Sequence, residues 1–307
     1  MAIETIMMDP KFTELFDPDQ NYIKIADGLM LGEGPFWHPE MKCFIFDDVP
    51  NSKTYSYSEK DGLQLLFNNE YKANGACLAK DGRWLGCEHW TSCLVARDLP
   101  SGENREVLAS EYDGIELNSP NDVIVRSDGL VYFTDPIYGR GVKPACNPRP
   151  IPSDRRPVYM YDPQNKALKP VADGFENPNG LCFSPDEKIL YVNDSGRYEI
   201  KAYDVNPDGT LANERLLLVT EGEGGPPDGM KCDSMGNLVI AAQQGLHWVS
   251  PEGKYIGRII EPERLLNFCF GGEDLKTILI CCQTGAYLLK SKVPGTPLPP
   301  EKKNLWK

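Results

Sequence analysis

Six oxygen-bearing side chains recur along the sequence, each opening a short apolar run: Glu33, Asn74, Asn121, Asn179, Asp228 and Asn267. The runs read Glu33-Gly-Pro-Phe-Trp, Asn74-Gly-Ala-Cys-Leu, Asn121-Asp-Val-Ile-Val, Asn179-Gly-Leu-Cys-Phe, Asp228-Gly-Met-Lys-Cys and Asn267-Phe-Cys-Phe. No histidine or cysteine occupies any opening position. Hard divalent cations such as Ca²⁺ and Mg²⁺ take carboxylate and amide oxygens, whereas structural zinc prefers Cys and His. The two carboxylates in the set balance one divalent charge. Taken singly, Asn-Gly and Asp-Gly are common turn pairs, and each opener alone reads first as a turn residue. Six in register call for a shared explanation, and a metal site at a common mouth supplies one.

The elements that must carry these residues are short strands. About seven residues after each opener comes a turn, as at Asp81-Gly82, Asp128-Gly129 and Asp186-Glu187, and a second apolar run follows. The openers are 41, 47, 58, 49 and 39 residues apart, a self-similar unit that signals a repeat architecture. Four strand-like segments fit in each unit, and helical periodicity is nowhere sustained. The prediction is an all-β, six-bladed β-propeller of four-stranded blades over residues 21–293. The sixth unit lacks a fourth strand of its own, and Tyr22–Ala26 is expected to close that blade from the N-terminal side. Residues 1–20 read as an N-terminal extension and 294–307 as a tail rich in Pro and Lys. Between Gly139 and Pro157, five prolines and four arginines interrupt the third unit. This insertion is either a lid or a plain solvated connection.

In such a ring the first strand of each blade lines the channel, so the openers encircle one mouth. A five-residue strand spans roughly 17 Å, about the channel's depth, so the second strands return to that mouth. His89, Trp90, Tyr138 and Arg140 are therefore expected there as substrate-binding candidates.

At these residues the chain resembles the gluconolactonase family, which includes regucalcin and bacterial lactonases. The resemblance runs from about Tyr22 to Lys290 and rests on several segments together. They are Leu31-Gly-Glu-Gly-Pro-Phe-Trp, Leu117-Asn-Ser-Pro-Asn-Asp-Val, Tyr132-Phe-Thr-Asp-Pro-Ile-Tyr-Gly, Asn177-Pro-Asn-Gly-Leu-Cys-Phe-Ser-Pro-Asp and Pro227-Asp-Gly-Met. The family's fold, a six-bladed propeller, agrees with the count made from the repeat. The resemblance implies one divalent ion held by Glu33, Asn179 and Asp228, with Asn121 beside it or reaching it through substrate. Ca²⁺ is the expected ion, with Mg²⁺, Mn²⁺ and Zn²⁺ as alternatives. Asn74 and Asn267 match no ligand of the family. Asp122 aligns with an acidic residue that some family lactonases need. Where regucalcin-type members carry Arg, two residues before Asn121, this chain has Ser119, which favours the bacterial sugar-lactonase branch.

The implied activity is hydrolysis of an aldonolactone to its hydroxy acid. The metal polarises the carbonyl while a carboxylate, Asp228 first and Asp122 second, activates water. Two rivals stay open: a non-catalytic calcium-binding regulatory propeller, and a hydrolase of aryl esters or organophosphates on the same fold. The net charge of −13 disfavours nucleic acid and anionic membrane surfaces as partners, leaving a small-molecule lactone. No run of 18 apolar residues suggests a spanning helix. The ten cysteines fall mostly in predicted strands, as reduced core thiols would. With no signal-peptide pattern at the start, the expectation is a cytoplasmic monomer or small homo-oligomer.

Overall fold

Inner-strand sequences such as Gly32–His38, Ala73–Leu78, Pro178–Phe183 and Leu265–Gly271 are buried at every residue, because a neighbour lies on both faces. The outermost strands, such as Gly62–Asn68, mix exposed and half-buried positions. In the computed structural model, which describes residues 2–220, 226–242 and 244–296, these strands form six antiparallel blade sheets, beside a two-stranded ribbon of Glu111–Tyr112 and Ile115–Glu116. Blade one runs Gly32–His38, Cys43–Asp48, Lys53–Ser58, Gly62–Asn68, and the predicted order of four strands repeats around the ring. Each inner strand packs against the next, and Leu265–Gly271 of blade six returns to Gly32–His38 of blade one.

The N-terminal strand Ile23–Asp27 pairs antiparallel with Gly285–Lys290, with Ile23 opposite Leu288, and so completes blade six as expected. This closure pairs an edge that would otherwise be open. Ahead of it, Glu4–Met7 adds a fifth strand to blade five beside Tyr255–Ile260. Four residues offer too few alternations to show a period, which is why no strand is legible there. Phe12 and Phe16 then pack against Trp248, with ring centroids 5.7 and 5.8 Å away. At the other end, Ser234 N–H donates to Pro294 O and Thr296 N–H to Cys232 O, tying the chain end to blade five. Residues 297–307 of the expected tail lie outside the described residues.

The core lies between blades. Phe36, Ile45 and Phe67 of blade one meet Ala76, Trp84 and Val95 of blade two, and Trp37 and Phe46 meet Leu279 and Cys281 of blade six on the other side. All ten cysteines are free thiols and buried. Among the described residues no helix is long and apolar enough to cross a membrane.

Four of the six openers are followed by glycine, for a reason that turn chemistry does not give. Gly75, Gly180 and Gly229 do not adopt positive φ. Instead, a Cβ on Gly75 would lie 2.3 Å from the Asn121 carbonyl oxygen, and one on Gly180 would lie 2.2 Å from that of Asp228. Only a residue without a side chain lets the next blade's opener come so close. Gly34, at φ 56°, meets both demands, since its Cβ would be 2.6 Å from Asn74 O. Gly180→Ala is therefore expected to cost about 1–3 kcal/mol by overpacking and to displace Asp228. Denaturant unfolding of the variant beside wild type checks this, and unchanged stability would show that the blades are not held at contact here.

Candidate active site at the channel mouth

Five of the openers join through their side chains, three in a hydrogen-bonded arc and two in a pair. Asn74 Nδ2 donates to Asn121 Oδ1 at 3.2 Å, and Asn121 Nδ2 donates to Asn179 Oδ1 at 2.6 Å. Across the mouth Asn267 Nδ2 donates to Glu33 Oε2 at 2.9 Å. Asn179 Nδ2 donates to Ser195 Oγ at 3.1 Å, and Ser195 Oγ donates to Pro227 O at 2.6 Å, the residue before Asp228. Asn193 Nδ2 donates to the Asp228 carbonyl at 2.6 Å. The ends of the second strands thus return to the opener ring, as strand length requires.

The loops leading into the inner strands are held by a repeated device. Asp48 accepts Met30 N–H, Asp135 accepts Asn118 and Ser119 N–H, and Asp194 accepts Glu176 and Asn177 N–H. Asp48 and Asp194 end the second strand of their blades and Asp135 directly follows its own, and each fixes the backbone a few residues ahead of an opener. In blade two the equivalent Glu88 instead accepts two hydrogen bonds from Arg105, at 2.8 and 2.6 Å.

Burial sets the electrostatics. Glu33 is buried, and desolvation followed by the charge of Asp228 pushes its carboxyl well above the usual range. Asp228 is pushed up to about 7, mainly by desolvation, with Arg264 opposing and Asp122 adding to the rise. Asp122 is also raised by burial, with Lys231 opposing. Its Oδ1 accepts Val123 N–H at 2.9 Å, and its Oδ2 has no partner among the described residues. Glu33 and Asp228, each raised further by the charge of Asp122, form a buried acidic pair that a divalent cation relieves. Glu33 Oε2 takes two donors, whereas its Oε1 has no hydrogen bond among the described residues. Among those residues no three His, Cys, Asp or Glu side chains form a cage. The donor set is therefore carboxylates plus amides, and it fits a hard cation.

The other sequence candidates divide. His89 is buried with Nε2 3.2 Å from Asn121 Oδ1, and burial lowers its pKa to about 4, so it is neutral and donates to that amide oxygen. Tyr138 reaches Ser195 and Asn179, and burial raises its hydroxyl pKa. Both stand at the ring. Trp90 stands on the rim, 39% exposed, with its carbonyl held by Asn147 and Arg149 of the insertion. Arg140 is engaged by the protein itself: its guanidinium donates to the carbonyls of Leu117, Asn118 and Pro150 and pairs with Glu116. An arginine in a Pro-rich insertion must satisfy backbone that no sheet satisfies, and Arg140 does so. Lys231, absent from the sequence candidates, lines the channel beneath the ring with Asp122 and Asn267. The signal was there: three residues after the opener, the other five units carry Phe36, Cys77, Ile124, Cys182 and Phe270. Beside Asp228 a groove of about 550 Å³ opens, lined by Pro226, Glu261 and Arg264 among others.

Fold and site together define a closed propeller with an oxygen-donor site on its axis. The chain belongs to the SMP-30/Gluconolactonase/LRE-like family, whose model matches residues 31–284. A gluconolactonase of Zymomonas mobilis subsp. mobilis is 28% identical, over 93% of this chain and 85% of its own. A pentonolactonase of Haloferax volcanii is 26% identical, over 83% of this chain and 82% of its own. Among solved structures, a gluconolactonase of Xanthomonas campestris superposes with a TM-score of 0.86 at 27% identity, covering 94% of both chains.

The raised carboxyls carry a pH signature. Folded Asp228 holds a proton up to about 7, whereas the unfolded residue loses it near 3.8. Between those values the unfolded state binds fewer protons, so metal-free stability falls as pH rises through that window. In chelator, Asp228→Asn and Glu33→Gln should therefore unfold at higher temperature than wild type at pH 8, with the gap narrowing toward pH 4. Calorimetric melting across that range decides it; variants that melt below wild type at pH 8 would contradict the assignment.

Proposed function

We propose that this chain is a lactonase that hydrolyses a sugar aldonolactone, such as gluconolactone, to the hydroxy acid at this mouth. The observation that carries the reading is the convergence of Glu33, Asn121, Asn179 and Asp228 on one polar mouth, beside a groove large enough for a sugar ring. The names of the relatives supply the substrate class. Glu33, Asn179 and Asp228 would hold one divalent cation, with Asn121 beside it, and Ca²⁺ is the ion these donors suit first. When bound, the cation polarises the lactone carbonyl and offsets charge developing on its oxygen.

The side chains do the rest. Asp228 stands at the groove, where its carboxylate accepts the proton of the attacking water. Asp122 lies deeper, on the channel cavity, and acts on the mouth through its charge. Neutral His89 and Asn74 both donate to Asn121 Oδ1, which fixes the amide so that its NH₂ points toward Asn179. Tyr138 and Ser195 offer hydroxyls beside Asn179 for the sugar's own hydroxyls.

The test is pH-stat hydrolysis of D-glucono-1,5-lactone and a 1,4-aldonolactone, with spontaneous opening subtracted. Chelated protein should be inactive and regain turnover with Ca²⁺, Mg²⁺, Mn²⁺ or Zn²⁺. Asp228→Ala should lose about 10³-fold in kcat/KM or more while its circular dichroism stays unchanged. Asp122→Asn should lose less. Full turnover after chelation would remove the metal from the mechanism, and no turnover of either ring would remove the sugar lactone.

A further inference from the structure

We propose that Asn267 is a positioning residue that selects which oxygen of Glu33 faces the cation site, and that Lys231 holds Asn267 in the orientation this requires. The inference rests on the metal reading above.

An asparagine amide is nearly symmetric in shape, so its direction is decided by its hydrogen-bond partners. Asn267 Oδ1 faces two groups that can only donate, Phe268 N–H at 2.9 Å and Lys231 Nζ at 3.4 Å. The NH₂ group must therefore lie on the other side, where it donates to Glu33 Oε2 at 2.9 Å. Room for this amide is made at Gly229, directly after Asp228: a Cβ there would lie 1.9 Å from Asn267 Oδ1. One short segment thus supplies the Asp228 carboxylate, the space for Asn267 and the ammonium that orients it.

At Glu33 the consequence is asymmetric. Oε2 accepts from Gly34 N–H at 3.0 Å and from Asn267, which occupies both of its in-plane lone pairs. Oε1 is left for the cation, so Glu33 binds through one oxygen. A one-oxygen carboxylate suits the tight octahedron of Mg²⁺ as well as Ca²⁺. A carboxylate free to turn both oxygens inward suits Ca²⁺ alone, because the larger ion accepts bidentate ligands at 2.3–2.6 Å. Asn267 and Lys231 therefore set ion selectivity without touching the ion.

The experiment is calorimetric titration of metal-free protein with Ca²⁺ and with Mg²⁺, for wild type, Asn267→Leu, Lys231→Met and Lys231→Arg. Leucine keeps the branched shape of asparagine and removes its hydrogen-bonding groups. Asn267→Leu should weaken Mg²⁺ by about tenfold or more, the usual effect of losing an outer hydrogen bond to a ligand, and weaken Ca²⁺ less. Lys231→Met should shift the ratio in the same direction by a smaller factor, and Lys231→Arg should restore it. Equal losses for both ions would reduce Asn267 to a packing residue and overturn the proposal. Tighter binding of both ions by Lys231→Met would show a merely opposing charge and overturn the role of Lys231. Should Asn267→Leu fail to fold, the two lysine variants decide the question. Wild-type protein that binds neither ion would overturn the metal reading itself, and this inference with it.

Discussion

The closest constraint in the molecule is the approach of neighbouring inner strands around the channel. At Gly34, Gly75, Gly180 and Gly229 the next blade's opener lies where a Cβ would stand. With no slack in the ring, the opener side chains are forced together at one end, and they satisfy one another: Asn74 to Asn121, Asn121 to Asn179, Asn267 to Glu33. The polar mouth is thus a product of the same contacts that close the fold. Small residues there serve packing and chemistry at once.

Such a mouth works against stability. Buried carboxyls at Glu33, Asp122 and Asp228 are all driven toward their protonated forms, so the ionised state is disfavoured in the absence of a cation. The loops around the mouth are nonetheless held by specific hydrogen bonds. Asp48, Asp135 and Asp194 hold the incoming loops by backbone N–H groups, and Arg105 binds Glu88 through two nitrogens. Between blades, aromatic and aliphatic side chains pack in continuous clusters. A rigid scaffold carrying a strained charge set is what electrostatic preorganisation needs.

Much of this was legible in the chain. The six openers, the spacing of the units and the borrowed strand at Ile23–Asp27 follow from patterns that local sequence carries. His89 and Tyr138 could be placed because a strand has a fixed rise, so a residue seven to ten positions past a turn returns to the mouth. Arg140 and Trp90 could not be sorted in the same way. Which carbonyl an arginine reaches depends on how an irregular insertion folds back, and no period describes that. Glu4–Met7 was hidden for a similar reason: its pairing partner, Tyr255–Ile260, is more than two hundred residues away.

What the sequence determined by itself was the inventory: six repeats, six oxygen donors, alternating strands and the glycines beside four of the donors. Only the tertiary structure decided what those glycines were for and which donors pair. Turn formation and close blade packing both select glycine, and a one-dimensional pattern cannot separate them; the 2.2 Å between a Gly180 Cβ and Asp228 O does. Likewise Lys231 and Asn267 are 36 residues apart in the chain and meet across the boundary of two blades, at 3.4 Å. Hydrogen-bond direction is set by distance and geometry in space, and ring closure is what creates both.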